Sequence, residues 1–134
     1  MGEFQLNIAG VSIGVATALI GGWHITLQIL LILMVADVVT GLIKGMYQSN
    51  FSSSAFRKGL LSKAGFFIVL ILCHQIDLLA GNSEPIVRGV GAIFYIAVEG
   101  TSIVENLGAI GVPIPSAIKK RLEKLRDSEE DEEE

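Results

Sequence analysis

The fold class this sequence predicts is an all-α integral membrane protein with about four transmembrane helices, and three observations lead there. The chain is 51% hydrophobic and only 18% charged, whereas soluble domains carry about 25% charged residues. Its apolar residues gather into four segments that approach the roughly 20 residues needed to cross a 30 Å hydrocarbon core. The charge is segregated as well: of fourteen acidic residues, seven lie between Asp127 and Glu134. At 134 residues the chain suits one compact membrane unit without a separate catalytic domain.

The first segment, about residues 4–21, is rich in Gly, Ala, Ser and Thr and is the weakest candidate for insertion. Gly21, Gly22 and Trp23 predict a tight turn, with Trp23 suited to a membrane interface. The second segment runs from about 25 to 46, the third from 60 to 79 and the fourth from 87 to 107. Gly81 to Pro85 separates the last two with turn-forming residues. If the first segment lies flat, three spans remain.

Orientation follows from the basic residues. Lys44, Arg57, Lys58 and Lys63 flank the loop between the second and third segments, and Lys119, Lys120, Arg121, Lys124 and Arg126 follow the fourth. Basic loops stay on the cytoplasmic side, so both regions are expected there. The C-terminus is then cytoplasmic, and the N-terminus too if all four segments span. The only charge before Asp37 is Glu3, which argues against a cleaved signal peptide with a basic start.

Polar residues fall on defined helix faces. Asp37, Thr40, Gly41, Lys44 and Gln48 form one stripe on a segment otherwise made of Leu, Ile and Val. Lys44 lies about 10 Å along the axis from Asp37 at 1.5 Å per residue, so it snorkels to the interface and Asp37 needs another partner. Lys63, His74 and Asp77 share a face of the third segment. Glu99, Ser102 and Asn106 share one on the fourth, with Glu105 a third of a turn away. Exposing Asp37, Asp77, Glu99 and Glu105 to lipid would cost on the order of 10 kcal/mol, so these faces are expected to meet at helix contacts or to line water. Gly10, Gly14, Ala18 and Gly22 repeat every four residues, a small-residue stripe that lets helix backbones approach closely.

Beyond Pro113 and Pro115, residues 116–126 read as a basic amphipathic helix with Ile118, Leu122 and Leu125 on one face, suited to anionic headgroups. The chain thus divides into a helical membrane domain to residue 112, a basic juxtamembrane segment over 113–126 and an acidic tail, 127–134, expected to be disordered. Cys73 is the only cysteine and reads as a small buried hydrophobe. With His74 and Asp77 it makes a poor metal set. No nucleophile–base pair, phosphate loop or cofactor motif marks an enzyme, and no nucleic-acid partner is indicated.

The ordered motifs resemble those of the phage lysis and toxin-secretion holin family. Asp37-Val38-Val39-Thr40-Gly41 is similar to its D-x-x-T-G motif, and Lys58-Gly59 with Lys63 to its K-G-x-x-x-K element. Asp77 resembles a later family aspartate. Phe94-Tyr95 through Glu99, Ser102, Ile103, Glu105 and Asn106 is close to F-Y-x-x-x-E-x-x-S-I-x-E-N, and Gly111 to Pro115 to the G-x-P-x-P exit. The resemblance covers about residues 24–126. It implies a protein of the bacterial cytoplasmic membrane that forms homo-oligomers among the lipids and opens lesions, releasing an endolysin or an exported toxin. The competing reading is a small ion channel or transporter subunit that uses the same carboxylates as an ion path.

Overall fold

A computed structural model describes residues 1–131. Its helices are α1 (Gly2–Leu19), α2 (Ile25–Tyr47), α3 (Ser53–Ala80), α4 (Ile86–Ala109) and α5 (Ser116–Asp131). The described residues contain no strand. Three helices, α2, α3 and α4, are long and apolar enough to cross a membrane, while the apolar stretch of α1, Asn7–Leu19, is shorter. The all-α membrane architecture expected from sequence is therefore what the chain adopts, with three such helices and a shorter apolar fourth.

Local chemistry sets the ends of the helices. His24 opens α2, its Nδ1 accepting the Thr26 N–H at 3.3 Å, and Ser52 opens α3 by accepting the Ala55 N–H at 3.2 Å. Each satisfies a donor that the first helical turn leaves without a backbone partner. Gly111, with φ +87°, closes α4: its N–H returns to Gly108 O at 3.1 Å and that of Val112 to Leu107 O at 3.0 Å. This left-handed stop precedes the prolines, so Pro113 and Pro115 follow a helix end already made.

The spanning helices alternate in direction and α4 is central. α2, α3 and α5 all pack on it, and its only strongly exposed large apolar residue is Ile86. By contrast α2 and α3 present a perimeter of exposed Ile, Leu and Val, among them Ile32, Val35, Ile68 and Leu72. Such a continuous apolar perimeter is what hydrocarbon covers.

Heptad spacing sorts the interior into layers. On α2 the inward face reads Leu27, Leu30, Met34, Asp37. On α3 it reads Lys63, Leu70, Asp77, and on α4 Arg88, Ala92, Glu99, Asn106. Leu27, Leu30, Met34, Leu70 and Ala92 form the buried apolar middle, with the Phe66 and Tyr95 rings stacked at 4.1 Å beside it. One charged layer lies on each side of this plug. Gly91 lets α3 approach α4, since a Cβ there would meet Cys73 Sγ at 3.1 Å.

α1 and α5 depart from what sequence suggested. Side chains along α1 from Asn7 to Ala16 are exposed, and Cβ atoms at Gly10, Gly14 or Gly22 would meet nothing within 4 Å. Of the small-residue stripe, Gly10, Gly14 and Ala18 are therefore exposed among the described residues, while the Gly22 carbonyl lies 3.4 Å from Arg88 Nη1. α5 folds back on α4, with Leu122 Cδ2 2.7 Å from where a Gly100 Cβ would stand. Its helix continues to Asp131, into the acidic run that the sequence leads one to expect as disordered. Residues 132–134 lie outside the described residues.

Candidate functional site: a charged layer between three helices

The inner charged layer is assembled by one lysine. Lys63 on α3 donates from Nζ to Asp37 Oδ2 on α2 at 2.6 Å. It also donates to Glu99 Oε1 and Oε2 on α4 at 3.0 and 2.8 Å. Three helices that share no local sequence are thus tied at one ammonium. Charge-assisted bonds of this length are the strong class, and they answer the requirement that Asp37 find a partner away from lipid.

Asn106, two turns below Glu99, completes the layer. Its Nδ2 donates to Asp37 Oδ1 at 3.0 Å and to Thr40 Oγ1 at 3.1 Å. Thr40 in turn donates to Ala36 O at 2.9 Å. Gly41 lies beside the amide: a Cβ there would stand 3.7 Å from Asn106 Nδ2, an ordinary contact. Asp37 and Thr40 therefore act as one receptor for Asn106, and this gives the D-x-x-T spacing a physical meaning. Lys44 and Ser102 line a cavity beside this layer. Glu105 is exposed and stands outside the cluster.

The outer charged layer is a separate construction. Asp77, 3% exposed, accepts the Val87 and Arg88 backbone N–H groups at 2.9 Å each and the Asn82 amide at 2.9 Å. It caps the start of α4 from the end of α3 and satisfies donors the helix leaves open. Arg88, 5% exposed, donates from Nη1 to Ile20 O and Gly21 O, both at 2.7 Å. It thereby holds the carbonyls that follow the end of α1. His74 sits against Gly21, where its ring and the Arg88 guanidinium fill the space a Cβ would take, and the φ of +84° itself favours glycine.

Lys63, His74 and Asp77 do share a face of α3, as their spacing implied. The structure divides them between layers about 21 Å apart at 1.5 Å per residue. Arg88 escaped the sequence reading altogether. Its signal was available: a lone arginine opening an apolar segment, in a chain whose Gly21-Gly22 turn leaves carbonyls in need of donors.

Comparison with known proteins agrees with the motifs. A profile of the bacteriophage holin family matches residues 14–127. A probable holin of Bacillus phage phi105 is 35% identical over 111 residues, covering 83% of this chain and 82% of that protein. An uncharacterized 14.9 kDa protein of Clostridium perfringens is 38% identical over 116 residues, 86% and 88% of the two chains. The uncharacterized protein YqxH of Bacillus subtilis is 35% identical over 130 residues, 97% and 92% of the two. No solved structure matches. The match spans the charged layers and all three spanning helices, and the chain belongs to the bacteriophage holin family.

Proposed function

We propose that the chain is a holin that accumulates in the bacterial cytoplasmic membrane with its basic ends in the cytoplasm. It self-associates there and opens lesions that pass a cell-wall hydrolase or a toxin. The observation that carries this reading is Lys63 bridging Asp37 and Glu99 inside a bundle with an apolar perimeter. Charges satisfied within one protomer let it accumulate quietly in lipid. The same groups can later face water if α2, α3 and α4 separate in an assembly. The small-residue face of α1 at Gly10, Gly14 and Ala18, exposed among the described residues, supplies a surface for association between copies.

Induced expression beside a cytoplasmic hydrolase tests the proposal. Abrupt loss of viability with escape of the hydrolase is the expected result. Ion leakage with the hydrolase retained would favour the channel reading and overturn this one.

A further inference from the structure

A cavity of about 420 Å³ opens between α2 and α3 beside the basic loop, and its walls include Asp37, Lys44, Gln48, Lys63, Ser102 and Asn106. We propose that it is a water-filled vestibule that carries solvent from the loop face to Lys63 and Asp37 and ends at the apolar plug. This rests on the reading of α2, α3 and α4 as membrane spans.

Four observations support it. The volume accommodates on the order of ten waters at about 30 Å³ each, and the walls offer the polar partners that such waters need. Within the Lys63 cluster, exposure follows the cavity: the Lys63 and Asp37 side chains keep 14% and 15% of their surface, while Glu99, which does not line it, keeps 3%. Asp37 has one protein side-chain donor on each oxygen, Lys63 and Asn106, where a carboxylate offers about four acceptor positions. The cluster also holds two carboxylates against one ammonium, and Lys44 in the cavity wall carries the balancing charge two turns away. Across water at that distance Lys44 attracts the cluster only weakly, so the surplus carboxylate charge is met by solvation in the cavity itself.

Beyond the cluster, Leu30, Met34, Leu70 and Ala92 are each no more than 4% exposed, so the path stops. The potential of the loop-side solution then reaches Lys63, and the membrane field falls across the plug instead of the full bilayer. A given displacement of the Lys63 cluster thereby spans a larger share of the voltage.

Thiol accessibility tests this in right-side-out and inverted vesicles prepared before lysis, using a membrane-impermeant cationic methanethiosulfonate. Ser102→Cys and Val38→Cys probe two walls of the cavity. Asn50→Cys marks its mouth, Ile32→Cys the lipid face, and the native Cys73 the plug. Because only a thiolate reacts and an apolar setting keeps a thiol inert, the wall cysteines should react from the same side as Asn50→Cys, within about tenfold of its rate. Ile32→Cys and Cys73 should be slower by about a hundredfold. Wall cysteines that react as slowly as Ile32→Cys, or from the side opposite Asn50→Cys, would overturn the vestibule. The side from which Asn50→Cys itself reacts reports the orientation independently.

Discussion

Lys63 of α3 grips both carboxylate oxygens of Glu99 of α4, at 3.0 and 2.8 Å, while the same ammonium reaches Asp37 of α2 at 2.6 Å. A cation shared in this way makes each of the three helices dependent on the others. Removing Lys63 leaves Glu99, 3% exposed, without its cation, and the cost of such an orphaned buried charge exceeds the net worth of the pair.

At the opposite end, Asp77 is expected to act through its backbone bonds to Val87 and Arg88. Asp77→Ala removes a helix cap and strands buried donors, for a combined loss of about 2–3 kcal/mol. Asp77→Asn keeps one acceptor oxygen and should lose roughly half as much. Denaturation in detergent micelles gives the ranking; equal stability of Asp77→Ala and the parent would remove the cap from the account.

Arg88 predicts a local effect. Arg88→Met deprives the Ile20 and Gly21 carbonyls of their donor, so hydrogen exchange should accelerate along α1 while α2, α3 and α4 keep their protection. Gly21→Ala should do the same by another route, because its left-handed backbone disfavours a Cβ and His74 and Arg88 occupy the space. Uniform loss of protection across all helices would show that the anchor is not confined to α1.

Gly100 controls the seat of α5. Gly100→Ala places a methyl against the flexible end of Leu122, which can turn aside, so the effect should be small. Gly100→Leu needs volume that Leu122 already fills and should lift α5 from α4. Trypsin cleavage after Lys119, Lys120 and Lys124 should then quicken by about tenfold, a shift of about 1.4 kcal/mol in the docking equilibrium. An unchanged cleavage rate would mean that Leu122 is not what seats the helix.

Much of this was legible in the residues because helical periodicity is a strong signal. The stripe of Asp37, Thr40 and Gly41 and that of Glu99 and Asn106 were each visible from spacing, as was the need to bury them. Their joining through Lys63 was not, since periodicity assigns a residue to a face and leaves its depth relative to other helices open. That is why Lys63 grouped with His74 and Asp77, its neighbours by angle, which lie in or near another layer. Arg88 was hidden by its place at the edge of an apolar segment, where a cation reads as a boundary. The seat of α5 depends on the absence of a side chain at Gly100, and nothing in the basic pattern of 119–126 signals that.

Among these claims, the shared ammonium is the one on which the rest depends, and a mutant cycle on the unfolding free energy in micelles tests it most directly. Lys63→Met alone should cost about 3 kcal/mol, because the buried Glu99 and the part-exposed Asp37 lose their cation. Combining it with Asp37→Asn and Glu99→Gln removes the orphaned charges and should recover most of that loss, giving a large favourable coupling. A triple variant no more stable than Lys63→Met would contradict the account.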